Sequence, residues 1–257
     1  MMRGLKGKTA FLTGAGAGIG QAAALRLAQE GMRVWISDRD PDALDATCRE
    51  AEHMQLRVEA VQADSCSEAA MAQAIQSAFD ASGRLDVLVN NAGGSLHTPY
   101  GFAQQSDDDW FRVVNLNLMG AVWACRAALP LMQRSGGGRV INYGSKAGRY
   151  GSLIAGPNYA AAKGAIASLT RQLAMEYGPD GITVNSICPG VVLTPRTSGL
   201  WAERRSAEER ERIVSEIPLR RHATVDDIAG VVAFLASDDA AFITGVSLDV
   251  NGGQAMA

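Results

Sequence analysis

Short β-rich runs alternate with longer helical patterns along nearly the whole chain of 257 residues. This alternation is the sequence form of repeated βαβ units, which place neighbouring strands parallel in one sheet. The strand-like runs, such as Val87–Val89, are continuously apolar, as expected where helices cover both faces of the sheet. We therefore predict a doubly wound α/β fold with a mostly parallel sheet flanked by helices on both faces.

The pattern predicts strands at Thr9–Thr13, Val34–Ser37, Val58–Ala63, Leu85–Val89, Arg139–Tyr143, Thr183–Cys188 and Val246–Val250. It predicts helices at Ile19–Glu30, Pro41–His53, Glu68–Ser82, Asp108–Gln133, Asn158–Tyr177 and Val225–Leu235. Thr194–Glu216 is rich in Arg and Glu and poor in strand signal, and we interpret it as an inserted loop with one or two helices. No linker, repeat or low-complexity tract divides the chain, so residues 1–257 are predicted to form a single domain.

Composition narrows the choice of partners and compartment. The formal net charge is -3, from 24 basic and 27 acidic residues, which argues against nucleic acid as a partner. The four cysteines are widely spaced without a zinc-binding pattern, so we expect reduced thiols and no metal. We find no apolar stretch typical of a membrane span or a signal peptide. We therefore expect a cytoplasmic protein, with no membrane association, that binds a small molecule.

A glycine-rich turn follows the first predicted strand, in the sequence Thr13-Gly14-Ala15-Gly16-Ala17-Gly18-Ile19-Gly20. Glycines at a strand-to-helix turn let the backbone approach a pyrophosphate closely, and the free N–H groups and dipole of the helix start favour that anion. The turn alone is weak evidence, because a tight turn without a ligand has the same pattern.

Asp38, which ends the second predicted strand, supports a dinucleotide ligand. It comes 18 residues after Gly20, where a carboxylate can accept hydrogen bonds from the adenosine ribose hydroxyls and repel a 2′-phosphate. Ala17 agrees, because a cation at that point of the turn would pair with such a phosphate. Arg39 is counter-evidence, since its guanidinium could bind a 2′-phosphate, stack on adenine or stay solvated. We predict NAD, with NADP as the less favoured alternative.

Other polar residues follow predicted strands at their carboxyl ends, where open α/β sheets bind ligands. Asp64 follows the third strand, and we interpret it either as an acceptor for the adenine amino group or as the N-cap of a helix near Glu68. Asn90–Gly93 follows the fourth strand, and Pro189-Gly190 follows the sixth. These segments are predicted to meet at one edge of the sheet.

Tyr159 and Lys163 stand four residues apart in a segment of strong helix formers, so both side chains leave one helix face. An ammonium near a phenol lowers the tyrosine pKa and makes the tyrosine a proton acceptor. An exposed Tyr and Lys would show the same spacing, so context decides. Ser145 follows the fifth strand, and Asn117 lies inside a long helix, where asparagine is unfavourable unless its side chain has a polar task.

In this order the motifs resemble those of the short-chain dehydrogenase/reductase family along essentially the whole chain. Thr13–Gly20 matches the family's glycine motif, Asn90–Gly93 matches its N-N-A-G motif, and Asn117 matches its helix asparagine. Ser145 matches the catalytic serine, and Tyr159 with Lys163 matches Y-x-x-x-K. Pro189-Gly190 with Thr194 matches P-G-x-x-x-T. Each motif is common alone, but all of them in order are highly specific. The resemblance implies a Rossmann-type oxidoreductase that transfers hydride between NAD(H) and a secondary alcohol or carbonyl substrate, such as a sugar, polyol or hydroxy acid.

The resemblance also implies roles for the matched residues. Tyr159 is the acid or base, and Ser145 donates to the substrate oxygen. Lys163 lowers the tyrosine pKa together with the positive nicotinamide and holds the nicotinamide ribose. Asn117 binds a water in a proton relay. The residues expected at the cofactor are Gly14, Gly18, Ile19, Gly20, Asp38, Arg39, Asp64, Ser65, Asn91, Ala92, Gly93, Tyr159, Lys163, Pro189, Gly190, Val192 and Thr194. The residues expected at the substrate are Ser145, Lys146, Tyr159, His97, Arg196 and Trp201.

Two departures from the family pattern concern one wall of the substrate pocket. The interval from serine to tyrosine is one residue longer than the commonest spacing, and Lys146 follows the serine where a small or apolar residue is usual. We interpret His97 as an exposed loop histidine. Residues 194–216 are expected to cover the substrate, with solvated charges over Ala202–Arg212 and with Arg196 meeting an anionic substrate such as a sugar acid or hydroxy acid.

Small apolar faces on the two longest helices allow close helix contact within the domain or between subunits, at Ala121, Ala124, Ala127, Ala165 and Ala167. With the resemblance, they predict a homotetramer or homodimer. Three alternatives remain for the function. One is an NADPH-dependent 3-oxoacyl-type carbonyl reductase. The second is a non-catalytic nucleotide-sensing regulator, which commonly lacks the Tyr or Lys, and the third is an epimerase or dehydratase, which commonly has a longer C-terminal substrate domain.

Overall fold

A computed structural model describes residues 1–152 and 154–256 of the chain. Its strands are β1 (Thr9–Thr13), β2 (Arg33–Asp38), β3 (Val58–Gln62), β4 (Val87–Asn90), β5 (Gly138–Tyr143), β6 (Ile182–Pro189) and β7 (Ser247–Val250). Within the described residues they form one sheet in the order β3-β2-β1-β4-β5-β6-β7, and every neighbouring pair is parallel.

The helices are α1 (Gly18–Gln29), α2 (Pro41–His53), α3 (Glu68–Ser82), α4 (Asp107–Val114), α5 (Gly120–Arg134), α6 (Ala147–Tyr150), α7 (Pro157–Tyr177), α8 (Pro195–Arg204), α9 (Ala207–Glu216) and α10 (Val225–Ala236). A π-helical segment, Asn115–Met119, joins α4 to α5. Short 3₁₀ turns lie at Phe102–Gln104, Gly178–Asp180 and Asp238–Ala240.

Two hydrophobic cores cover the two faces of the sheet. Along β1, Ala10 and Leu12 pack with residues of α1, α2 and α10, whereas Phe11 packs with residues of α3, α5 and α7. Successive strand residues point to opposite faces, so a continuously apolar strand fills both cores at once. The predicted doubly wound fold with helices on both faces is confirmed.

The predicted boundaries hold closely. β1, α2 and α3 begin and end where the sequence pattern places them, and the other predicted strands shift by at most two residues. The predicted helix Asp108–Gln133 is interrupted by the π-helical segment, and α6 was not predicted. Thr194–Glu216 contains two helices, because Thr194 and Ser206 each form a capping box with the residue three positions later.

The chain order of the strands reverses between β1 and β4. Helix α1, which follows β1, lies on one face, and α5, which follows β4, lies on the other. A crevice opens at such a switch point, outside the carboxyl ends of the strands. Among the helices of the described residues, none is long and apolar enough to cross a membrane.

Candidate active site

A cleft of about 820 Å³ lies at the carboxyl ends of the strands. That volume is within the range of small-molecule pockets. The cleft extends from Asp38 and Asp64, beside β2 and β3, to Ser145 and Pro189, beside β5 and β6. Every residue that the sequence predicted at the cofactor lines this cleft, and so do the predicted substrate residues except Trp201.

The glycine-rich turn forms the floor of the cleft below the start of α1. Gly14 has a φ of +62°, and a Cβ on it would lie 2.6 Å from the Cα of Ala92. The Asn91 amide donates to the carbonyl of Gly14 at 2.6 Å and would collide with a Cβ on Gly20. Only glycine therefore fits at these two positions, and the packed turn carries no side chain that would keep a ligand away from the backbone.

The start of α1 has the features of an anion site. Ala17 is its N-cap, and no side chain caps the free N–H groups of its first turn. By contrast, α4, α8, α9 and α10 all have side-chain caps. Uncapped N–H groups that face a ligand cleft fit a pyrophosphate, since the helix dipole favours an anion there. The residues present thus fit a dinucleotide.

The adenosine end of the cleft holds two carboxylates. Asp38 accepts hydrogen bonds from the backbone N–H groups of Gly16 and Asp40, both at 3.2 Å, so its position is fixed relative to the glycine turn. Asp64 accepts from the backbone N–H of Cys66 at 2.8 Å. Ser67, not Asp64, caps α3, so the N-cap interpretation of Asp64 is wrong. Asp64 is left to line the cleft.

Tyr159 and Lys163 project from α7, which begins with Pro157 at its first position, where the fixed φ of proline suits a helix. The Lys163 ammonium lies 5.8 Å from the centre of the Tyr159 ring and donates to the carbonyl of Tyr143 at 2.7 Å. Ser145 accepts from the backbone N–H of Ala147 at 3.1 Å, and its hydroxyl hydrogen bonds with Tyr159. One end of the cleft thus joins a phenol, a hydroxyl and an ammonium.

Burial dominates the protonation of this group. It raises the pKa of Tyr159, against the hydrogen bond from Ser145 and the positive charge of Arg196. Burial also lowers the pKa of Lys163 to about 8. The Lys163 ammonium donates to the Tyr143 carbonyl, and without a bound nicotinamide the burial of Tyr159 decides the direction of its pKa shift. Further positive charge in the cleft would favour the phenolate of Tyr159.

Asn117 lies in the π-helical segment, is almost fully buried, and does not line the cleft. Its amide group donates to the carbonyls of Gly94 and Val113 at 2.9 and 2.8 Å, and its oxygen accepts from the Gly94 N–H at 3.0 Å. Both amide hydrogens are used, so the side chain has no donor left for the predicted relay water. The polar task of Asn117 is to hold the loop after Gly93 beside Lys163.

The predicted substrate residues separate into two groups. Lys146, His97 and Arg196 line the cleft. Trp201 does not, because it is 5% exposed and its ring packs edge-on against His222 at 5.1 Å, beneath α8. The prediction that Trp201 meets the substrate is wrong, since the apolar face of α8 turns the indole toward the interior.

Arg204 is a site residue that the sequence did not reveal. It lies at the end of α8 and donates to the carbonyls of Ile154 at 2.5 Å and Thr98 at 3.0 Å, and Ile154 lines the cleft. Arg204 is thus an exception among the charges of Ala202–Arg212, most of which were expected to be solvated. Nothing in the sequence distinguishes Arg204 from the charged residues beside it.

We expect Arg204→Ala to raise the substrate KM about tenfold with a smaller change in kcat, because two charge-assisted hydrogen bonds that hold α8 against the loops containing Thr98 and Ile154 are lost. Arg212→Ala is the matched control, since Arg212 is exposed and pairs only with Glu216 on its own helix. Steady-state kinetics measure both. Equal KM values for the two variants would contradict a clamping role for Arg204.

The remaining titratable groups of the described residues add no other chemistry. No group of three or more His, Cys, Asp or Glu side chains among them could hold a metal ion. Cys48, Cys66, Cys125 and Cys188 are all free. The cleft therefore offers acid-base groups and hydrogen-bond donors.

Fold and cleft together define an oxidoreductase that binds a nicotinamide dinucleotide. The chain belongs to the short-chain dehydrogenase/reductase family, since a family model described as enoyl-(acyl carrier protein) reductase matches residues 14–255. It is 38% identical to a meso-2,3-butanediol dehydrogenase of Serratia marcescens, over 96% of this chain and 94% of that protein. It is 33% identical to a 3-oxoacyl-[acyl-carrier-protein] reductase of Thermotoga maritima, over 97% of this chain and 98% of that protein.

The structure also resembles solved structures of the family. It matches an NAD⁺-bound xylitol dehydrogenase with a TM-score of 0.90 and 32% identity, over 98% of this chain and all of that one. The resemblance on which the sequence prediction rested is confirmed by both comparisons.

Proposed function

We propose that this protein transfers a hydride between NAD(H) and a secondary alcohol or its carbonyl product. One observation carries the proposal: a single cleft contains both the uncapped start of α1 and, on the far side of β1 and β4, the Tyr159, Ser145 and Lys163 group. The relatives named for butanediol and xylitol support an alcohol as the substrate.

The chain's own residues supply the acid-base half of the reaction. The cleft residues from the start of α1 to Lys163 would hold a nicotinamide dinucleotide, which when bound would supply the acceptor or donor of the hydride. Tyr159 takes the proton of the substrate hydroxyl at its phenolic oxygen in oxidation and gives it back in reduction. Ser145 donates to the substrate oxygen, where charge develops as the proton moves. Lys163, held by the Tyr143 carbonyl, would bind the nicotinamide ribose and add positive charge near Tyr159.

NAD is the proposed cofactor because of Asp38. Its carboxylate lines the adenosine end at a fixed distance from the glycine turn, where it accepts from ribose hydroxyls and repels a 2′-phosphate. Arg39 lines the same end and keeps NADP as the second candidate. If the cofactor is NADP, the alternative function is an NADPH-dependent 3-oxoacyl-type carbonyl reductase.

Two further features belong to the proposal. Residues 194–216 cover the substrate, with Arg204 fastening α8 to the loops that contain Thr98 and Ile154. Large apolar side chains stay exposed on α4, on α7 and before β7, at Phe111, Met175 and Phe242. Such exposure supports a homodimer or homotetramer.

A substrate screen tests the proposed function. The protein is incubated with NAD or NADP and a panel of secondary alcohols, polyols and hydroxy acids, and the reduced nicotinamide is followed by absorbance. We expect NAD to be reduced with at least one secondary alcohol and to be released as free NADH. Reduction of NADP alone would favour the second candidate, and a bound nicotinamide that never leaves the protein would favour an epimerase.

We expect the two directions of the reaction to differ in pH dependence. Oxidation needs the phenolate of Tyr159, and burial raises the pKa of that group, so the phenolate fraction and kcat/KM for oxidation rise with pH. The increase in kcat/KM for oxidation flattens above about pH 8, because Lys163 has a pKa of about 8 and then loses its charge. Reduction needs the neutral phenol and stays nearly constant. Initial rates in both directions measure this, and identical profiles would contradict the role of Tyr159.

A further inference from the structure

Charge is distributed unevenly along the cleft. Among its described lining residues the carboxylates are Asp38 and Asp64, which both lie beside β2 and β3. The end of β5 is three strand spacings from β2, roughly 14 Å at about 4.8 Å per spacing. At that far end the charged side chains are Lys146, Lys163 and Arg196. The substrate half of the cleft is therefore cationic without a neutralising carboxylate among its described residues.

Lys146 is an ammonium without a partner. Its backbone N–H donates to the Pro189 carbonyl at 3.0 Å, which ties the residue between the ends of β5 and β6. Its side chain is half-buried, and among the described residues it makes neither a hydrogen bond nor an ion pair. Burial without a counter-charge lowers the pKa of Lys146. A desolvated, unpaired cation costs free energy that an anionic ligand would recover.

Arg196 stands where helix electrostatics disfavour it. It is the second residue of α8, at the positive end of the helix dipole, where a cation destabilises the helix. Its guanidinium has five N–H donors, of which Nη1 donates to the Gly93 carbonyl at 3.2 Å. Its charge acts on both Tyr159 and Lys163, so it lies beside the reacting groups. A cation at this position destabilises α8 but is well placed to bind an anionic ligand in the cleft.

A neutral polar group completes the same wall. Gln254 lines the cleft and approaches Gly190, and its Oε1 atom is buried with no hydrogen-bond partner. Ile154 and Leu200 supply apolar surface between these polar groups. A small ligand with a short carbon skeleton, an anionic end and a hydroxyl would satisfy all of them.

We propose that the substrate is a small hydroxy acid, or the corresponding oxo acid, whose carboxylate is bound by Lys146 and Arg196 while its carbinol meets Tyr159 and Ser145. This inference rests on the proposed function. In oxidation the carbinol C–H bond gives its hydride to NAD⁺ and the O–H proton passes to Tyr159, so a hydroxy acid and NAD⁺ become an oxo acid, NADH and a proton. The carboxylate is unchanged and serves for recognition.

Matched substrates test the inference. For 2-, 3- and 4-hydroxy acids of three to six carbons whose hydroxyl is secondary, kcat/KM is compared with that of the corresponding primary amide. We expect the wild type to prefer the acid of at least one pair, and Lys146→Gln and Arg196→Gln each to reduce the acid-to-amide ratio about tenfold, a loss of about 1.4 kcal/mol. Lys146→Arg should retain most of the preference. Arg171→Gln, an exposed charge on α7 outside the cleft, is the control and should leave the ratio unchanged.

A binding measurement separates this inference from the proposed function. Calorimetry measures the affinity of short oxo acids and their amides for the protein loaded with NADH, which requires no turnover. Tighter binding of an acid than of its amide, lost in Lys146→Gln, supports the anion site. A wild type that oxidises amides and acids equally well, or binds them equally, overturns the inference and leaves the proposed function intact.

Two other outcomes are equally decisive. If no alcohol is oxidised, the proposed function fails, and calorimetry alone decides whether an anion site exists. If Arg196→Gln weakens NADH binding and leaves the acid-to-amide ratio unchanged, the assignment of Arg196 to the substrate is overturned.

Discussion

Replacing Tyr159 by phenylalanine is expected to lower kcat by about 10²- to 10⁴-fold in both directions, the range for loss of a positioned acid-base group. The change removes one oxygen from a partly buried ring and preserves the ring's packing near Lys163. Ser145 then has no phenol to hydrogen bond with, and the substrate hydroxyl has no group to receive its proton. Affinity for NADH should stay nearly the same, because the start of α1 and Asp38 are untouched.

The same substitution at the other end of the helix is the control for Tyr159. Tyr177 lies 18 residues further along α7, roughly 27 Å away at about 1.5 Å per residue, and Tyr177→Phe should leave kcat unchanged. Single-turnover kinetics and NADH titration are measured for both variants. A Tyr159→Phe enzyme with wild-type turnover would exclude Tyr159 as the acid-base group.

Local sequence signals were enough to place the residues predicted at the nucleotide in one cleft. The glycine turn, Asp38 and Asn91 follow strands whose boundaries are set by runs of apolar residues, and parallel strands bring their carboxyl ends to one edge. Turn chemistry and strand periodicity are properties of neighbouring residues. They can therefore be recognised without knowing the packing.

The substrate side depends on contacts between distant residues. Trp201 and Arg204 are three positions apart on α8, yet the first packs against His222 and the second reaches Ile154 and Thr98. Which face of a short, charged helix is buried depends on how the segment rests on the domain. The sequence contains no periodic signal for that orientation.

Protonation could not be predicted from spacing either. The four-residue interval between Tyr159 and Lys163 places the two side chains together, and the structure has them together. The sign of the pKa shift of Tyr159, however, depends on burial, which opposes the charged form of both groups. Asn117 is a similar case. An asparagine inside a helix indicated that its side chain makes polar contacts, but only the packing showed that these are hydrogen bonds with the backbone of Gly94.

Neutralising Asp38 is expected to change the cofactor preference about 10²-fold, measured as the ratio of kcat/KM for NADP to that for NAD. Asp38→Asn removes the charge that opposes a 2′-phosphate, and like charges in contact cost several kcal/mol. It also weakens the hydrogen bonds that the ribose hydroxyls of NAD donate. The amide oxygen can still accept from Gly16, so the glycine turn keeps its support.

Asp40→Asn is the control, because it removes the same charge two residues away, outside the cleft, and asparagine still caps α2. A ratio unchanged by Asp38→Asn, or shifted as far by Asp40→Asn, would show that another group selects the cofactor, and Arg39→Gln would then be the variant to measure.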